Sequence, residues 1–296
     1  MPIEPMTALL ENARADGYAV GYFEAWDVDS LEAVIAAAEA EQAPVIVGFG
    51  GAMAAAAWLD AGGVEALAGI GRALALRTSV PTALLFNEAH TLAQAHRAID
   101  AGFNAVMLDT AAWSWEDAVA EVGELVEYAH ERGATVEAEL GRLPDAVEGG
   151  VDDRHASLTD PDQAAVFVQR TGIDCLAVSI GNVHLLRNRS APVDLAHLER
   201  VAALVPLPLV IHGGTSFPPD AVPRAIAAGV AKFNVGTILK SDFLAGIRDT
   251  VTAWPAQVNA HDVLGSHKAS DMLAGGKARM QARVQELIQR YGGGRR

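Results

Sequence analysis

Toward the end of the chain, Pro208-Leu209-Val210-Ile211-His212-Gly213-Gly214-Thr215 sets a histidine at the tip of a short apolar run, with two glycines directly after it. A histidine so placed can hold a metal or move a proton, while glycines let backbone N–H groups approach an anion that a Cβ would keep away. Polar residues recur at the downstream ends of other apolar runs: Glu24, Asn87 with Glu88, Asp109, Glu139, His184, and Asn234 with Thr237. Two histidines and up to three carboxylates in one cavity would form a divalent-metal site, because neutral imidazole and carboxylate together suit zinc and other first-row ions. Taken singly, each such residue is more often a helix cap or a surface group, so the inference rests on their recurrence. Gly181-Asn182-Val183-His184 adds a second junction with histidine close to glycine. Asn234-Val235-Gly236-Thr237 follows the last strand-like run, where a barrel commonly cradles phosphate; the plainer reading is a turn at Gly236 and a helix cap at Thr237.

These residues share a site only if the intervening elements bring them together. Short β-rich runs lie near Tyr18 to Phe23, Val45 to Phe49, Thr82 to Phe86, Ala105 to Leu108, Thr135 to Leu140, Cys175 to Ser179, Leu209 to Ile211 and Lys232 to Val235. Most are followed by apolar residues at helical spacing, such as Leu31-Ile35-Ala38 and Val222-Ala225-Ile226. Eight βα units predict an α/β fold, a closed (β/α)₈ TIM barrel, in which C-terminal strand ends converge on one mouth. No linker divides the chain, so residues 1–296 are expected to form one domain with a helical tail from about 256 to 296. Long loops are expected over Arg142 to His155 and Asn182 to Val193, where turn-forming and polar residues gather.

Composition narrows the partners. A net charge of −15 would repel nucleic acid and anionic lipid, and no stretch reaches the roughly 20 apolar residues needed to cross a bilayer. Without a basic, apolar leader the expectation is a cytoplasmic protein. The single cysteine, Cys175, sits in an apolar run and is expected to be a core residue. Alanine-rich surface helices suggest a homo-oligomer, a dimer or a tetramer.

With those residues in view, the chain resembles the class II, metal-dependent ketose-bisphosphate aldolases. The likeness runs through Gly17-Tyr18-Ala19-Val20-Gly21, Ala101-Gly102-Phe103 leading to Val106-Met107-Leu108-Asp109, and Val136-Glu137-Ala138-Glu139-Leu140-Gly141. It continues through Asp174 to Gly181, the His-Gly-Gly segment and Asn234-Val235-Gly236-Thr237. The resemblance implies that His184 and His212 bind zinc, with Glu139 and Asp109 near alternative metal positions. It also implies that Gly213, Gly214, Thr215, Asn234 and Thr237 hold a substrate phosphate and its neighbouring hydroxyls.

The departures matter as much. Where the family carries His-Leu-Asp-His-Gly, this chain reads Leu85-Phe86-Asn87-Glu88-Ala89, replacing the catalytic acid and one zinc ligand. Asn87 can hydrogen-bond a hydroxyl but cannot shuttle a proton, whereas Glu88 can still coordinate a metal. Leu185 replaces a glycine after the second zinc histidine, Glu24 and Trp26 stand where the family has asparagines, and Glu148 is nearest to the family's loop base. The expectation is a lyase working through a metal-stabilised enediolate on a sugar-phosphate or related carbonyl substrate other than fructose 1,6-bisphosphate. Its metal would be held by Glu88, His184 and His212, with Glu139 or Asp109 as alternates, and proton transfer would pass to Glu24, Glu148 or water. An isomerase or epimerase, a specialised-pathway aldolase for an unphosphorylated acceptor, and a catalytically silent binding protein remain as alternatives.

Overall fold

Val45-Ile46-Val47-Gly48-Phe49-Gly50 is buried along its whole length, as a parallel strand covered on both faces must be. Such runs supply most of the sheet. The computed structural model describes residues 3–147, 150–152, 156–183 and 191–294. Its strands are β1 (Val20–Ala25), β2 (Val45–Gly50), β3 (Thr82–Ala89), β4 (Ala105–Leu108), β5 (Thr135–Leu140), β6 (Asp145–Val147), β7 (Gly150–Asp152), β8 (Cys175–Val178), β9 (Leu209–Ile211) and β10 (Val230–Val235). All but β6 and β7 form a closed barrel in the order β1-β10-β9-β8-β5-β4-β3-β2, every pairing parallel. The (β/α)₈ expectation holds. The loop expected over Arg142 to His155 instead contains the antiparallel pair β6 and β7, too short to give a periodic signal. The first strand also begins later than expected and runs through Glu24 to Ala25.

Loops leaving the strands end on helix caps. Asp27, Thr91, Ser114, Asp160 and Asp194 each accept a hydrogen bond from the backbone amide three residues on, and Asp27 and Ser30 do so reciprocally. Helix Thr237–Thr252, after β10, starts at Gly236 with no side-chain cap.

The bottom of the barrel is closed by helix Met6–Asp16, whose Met6, Leu9, Leu10 and Ala13 join a buried cluster with Val20, Ile46, Leu85, Ala105, Cys175 and Val210. Cys175 is a core residue, its thiol pushed up first by burial and then by Glu137. The helical tail comprises Ala260–Val263 and Ala274–Arg290, and the latter packs against Thr237–Thr252 and Val28–Glu41. Gly246 meets the backbone of Gly275 and Gly276 where these helices cross, leaving no room for a β-carbon. Among the described residues, no helix is long and apolar enough to cross a membrane.

Candidate active site

Side chains alternate along a strand, so a polar residue at a strand tip places the residue two positions earlier in the barrel interior beneath it. In this barrel the interior is charged. Below Glu139 on β5 lies Glu137, below Asn234 on β10 lies Lys232, and below Glu24 on β1 lies Tyr22, each nearly inaccessible to solvent. Lys232 Nζ donates to Glu137 Oε2 at 2.6 Å and stands 5.0 Å from the centre of the Tyr22 ring. Burial alone would push the Glu137 carboxyl up, but Lys232 and then His212 outweigh it and hold it at about 2.

His212, just beyond β9, joins this interior to the cavity above. Its Nε2 lies 2.9 Å from Glu137 Oε1, while Nδ1 lies 2.7 Å from Glu139 Oε2 and 3.8 Å from Glu88 Oε1. Burial alone would push the imidazole down; Glu139 and Glu137 together push it up to about 10.

Glu88 reaches the cavity by breaking the alternation. Asn87 points inward, so its neighbour should point out, but the β3–β4 register shifts between Phe86 and Ala89, and Glu88 has a φ of 54°. This bulge turns both consecutive side chains toward the mouth. A non-glycine residue in the left-handed region costs about 1–3 kcal/mol, an outlay usually found where function requires it.

The cavity at the strand ends has a volume of about 1050 Å³ and is walled by Tyr22, Glu24, Asn87, Glu88, Asp109, Glu139, His212, Gly213, Thr215, Asn234, Thr237 and Lys240 among others. Asn87 Oδ1, Tyr22 Oη and both amide atoms of Asn234 are buried with no hydrogen-bond partner among the described residues. Burial, with Glu24, Glu88 and Glu137 adding to it, pushes the Tyr22 phenol well up, so it remains a donor. Asp109 reaches the same cavity with Oδ1 accepting from the Ala111 amide at 3.1 Å. Glu24 Oε1 pairs with Lys240 Nζ at 2.6 Å, and Lys240 stands 5.6 Å from the ring of Trp26, which packs edge-on against Phe243. His184, Leu185 and Glu148 lie outside the described residues.

Of the two glycines after His212, Gly213 lines the cavity, whereas Gly214, expected to hold phosphate, does not: it packs against β10 and its amide is already engaged. Gly213 has a φ of 68°, and a β-carbon there would stand 2.6 Å from the Val183 carbonyl oxygen. The Gly214 amide donates to the Asn234 carbonyl at 2.9 Å, and Thr215 Oγ1 accepts from the Ile238 amide at 3.4 Å.

The family model described as fructose-bisphosphate aldolase class-II matches residues 4–294. The chain belongs to the class II fructose-bisphosphate aldolase family. It is 34% identical over 271 residues to a fructose-bisphosphate aldolase of Geobacillus stearothermophilus, covering 90% of this chain and 91% of that one. It is 36% identical over 282 residues to the fructose-bisphosphate aldolase of Thermus caldophilus, covering 87% and 90%. Among solved structures it is similar to the YdjI aldolase from Escherichia coli K12, with a TM-score of 0.80, 28% identity and coverage of 99% and 98%.

Divalent metals serve class II aldolases generally, and the donor types in this cavity, imidazole and carboxylate, suit one. Among the described residues, however, the three donors whose atoms all lie within 4.8 Å of one another are Asp29, Glu32 and His267, outside the cavity. An imidazole with one nitrogen fixed by a carboxylate and the other facing two more is an arrangement that holds a metal-binding histidine in orientation. Four residues of this site escaped the sequence reading: Tyr22, Glu137, Lys232 and Lys240. The signal for the first three was available, since each stands two positions before a residue singled out at a strand tip.

Proposed function

We propose that this class II aldolase family member is a lyase that makes or breaks a carbon–carbon bond beside the carbonyl of a polyhydroxy substrate other than fructose 1,6-bisphosphate. The observation that carries this reading is the meeting of Glu88, Glu139 and Glu137 around the imidazole of His212. His212, Glu88 and Glu139 would hold a divalent metal, zinc by the chemistry of the donors, with His184 and Asp109 as the further ligands implied by the sequence. Bound there, the metal supplies Lewis-acid polarisation of the substrate carbonyl.

The chain's own residues do the rest. Glu137, anchored by Lys232, accepts from His212 Nε2 and so keeps Nδ1 turned toward the substrate. Tyr22 Oη donates to a substrate oxygen, and Asn87 Oδ1 and both amide atoms of Asn234, which have no hydrogen-bond partner among the described residues, orient substrate hydroxyls. Thr215, Thr237 and the backbone at Gly213 form the wall against the substrate's oxygen-rich end. Glu24 is held by Lys240, and Glu148 or water remains for proton transfer. The barrel and its C-terminal helices act as one domain.

Two measurements test this. Protein purified without chelator should carry about one metal per chain, and His212→Ala should lose it; unchanged metal content would refute the ligand assignment. Turnover of fructose 1,6-bisphosphate should be low, because a missing general acid typically costs about 10²- to 10⁴-fold in rate. Asn87→Asp should raise it, and ordinary turnover by the unaltered protein would show that Asn87 does not redirect the substrate.

A further inference from the structure

Helix Thr237–Thr252 opens onto the cavity after the last barrel strand, where barrels of this architecture commonly hold a phosphate. In this chain a carboxylate of the protein already stands there. Glu24 reaches from β1 so that Oε1 lies 2.6 Å from Lys240 Nζ, in the helix's first turn, while Oε2 lies 2.5 Å from where a β-carbon on Gly236 would be. A β-carbon on Gly50 would stand 3.3 Å from Oε1 on the other side. Any side chain at position 236 would displace the carboxylate, so the glycine that leaves this helix uncapped also makes room for Glu24.

The groups beside this ion pair suit a neutral ligand. Asn234 is only 9% exposed and Tyr22 1%, and neither the Asn234 amide nor Tyr22 Oη has a hydrogen-bond partner among the described residues. An amide offering both donor and acceptor matches hydroxyls, which also do both; a phosphate dianion only accepts, and would lie against Glu24 as a like charge.

We propose that this end of the cavity receives the uncharged, hydroxyl-bearing terminus of a polyhydroxy ketone and excludes a phosphate, with Glu24 as the resident anion. The proposal rests on the aldolase reading above and names the substrate class of that site.

The test uses the metal-loaded full chain. Exchange of the carbon-bound hydrogens of dihydroxyacetone and of dihydroxyacetone phosphate in D₂O is followed by proton NMR, and inorganic phosphate is titrated calorimetrically into wild type and Glu24→Gln. Wild type should favour the unphosphorylated ketone by about tenfold or more in kcat/KM, the scale on which a pocket discriminates between related ligands. Glu24→Gln, in which Lys240 loses its partner, should shift that ratio toward the ester and gain phosphate binding. The ratio is the readout, so a change in absolute rate from altering Glu24 does not confuse it. A wild type that prefers the ester, or binds phosphate through Lys240 so that Lys240→Met abolishes the binding, overturns the proposal and leaves the aldolase reading intact. Exchange of neither ketone counts against the aldolase reading, and the phosphate titration then decides alone: new binding in Glu24→Gln supports the resident anion, and equal binding in both proteins refutes it.

Discussion

His212 stands between a carboxylate fixed in the barrel interior and two that face the mouth, so its proton and a metal compete for the same nitrogen. In the metal-free protein Glu139 and Glu137 raise the imidazole from its ordinary 6.5 to about 10. A group raised on folding stabilises the fold fully below its unfolded value, and that stabilisation is lost as pH rises through its folded value. The chelated protein should therefore lose thermal stability between about pH 6.5 and 10 relative to His212→Gln, which has no such proton to lose. Parallel melting curves for the two proteins across that window would show that His212 is not charged. The tip residues of this site, Glu139, His212 and Asn234, were legible because each ends an apolar run. Glu137 and Lys232 were passed over although each stands two positions before such a tip, because each lies inside an apolar run and charged residues are almost never fully buried unless paired. Their pairing joins residues 95 positions apart, and that of Glu24 with Lys240 joins residues 216 apart, distances over which one sequence carries no local signal.

At the scale of the elements, the bulge at the end of β3 sets stability against use. Glu88 holds a φ of 54° to bring its carboxylate beside His212. Glycine adopts that conformation freely, so Glu88→Gly should leave the Tm of the metal-free protein unchanged or higher while weakening metal binding. A drop in Tm of the size usual for glycine in a strand would show that the backbone there is relaxed. Two helix glycines make a sharper contrast. A β-carbon on Gly123, in helix Trp115–His130, would meet nothing within 4 Å, and Gly123→Ala should stabilise by about 0.5–1 kcal/mol through helix propensity. At Gly246 the same gain is outweighed by overpacking against the neighbouring backbone, worth about 1–3 kcal/mol, so Gly246→Ala should lower the Tm. Strand positions were readable from apolar runs, and five of the eight barrel strands keep the expected bounds at Ala105–Leu108, Thr135–Leu140 and Leu209–Ile211, or nearly so at Val45–Gly50 and Cys175–Val178. The bulge was not readable, because alternation predicts Asn87 and Glu88 on opposite faces and only the register with β4 reverses it.

For the molecule as a whole, helix Met6–Asp16 puts a floor under the barrel. Met6, Leu9, Leu10 and Ala13 fill the lower end, and the cavity opens above the strand tips. If fragments formed by cleavage leave by that mouth, the one nearer solvent is expected to depart first and the one beside His212 and Glu139 last. Steady-state cleavage should show ordered release: the last fragment to leave inhibits competitively against substrate, and the first inhibits non-competitively. Competitive inhibition by both fragments would mean that either can leave while the other stays, and that the floor laid by the N-terminal helix imposes no order on the traffic.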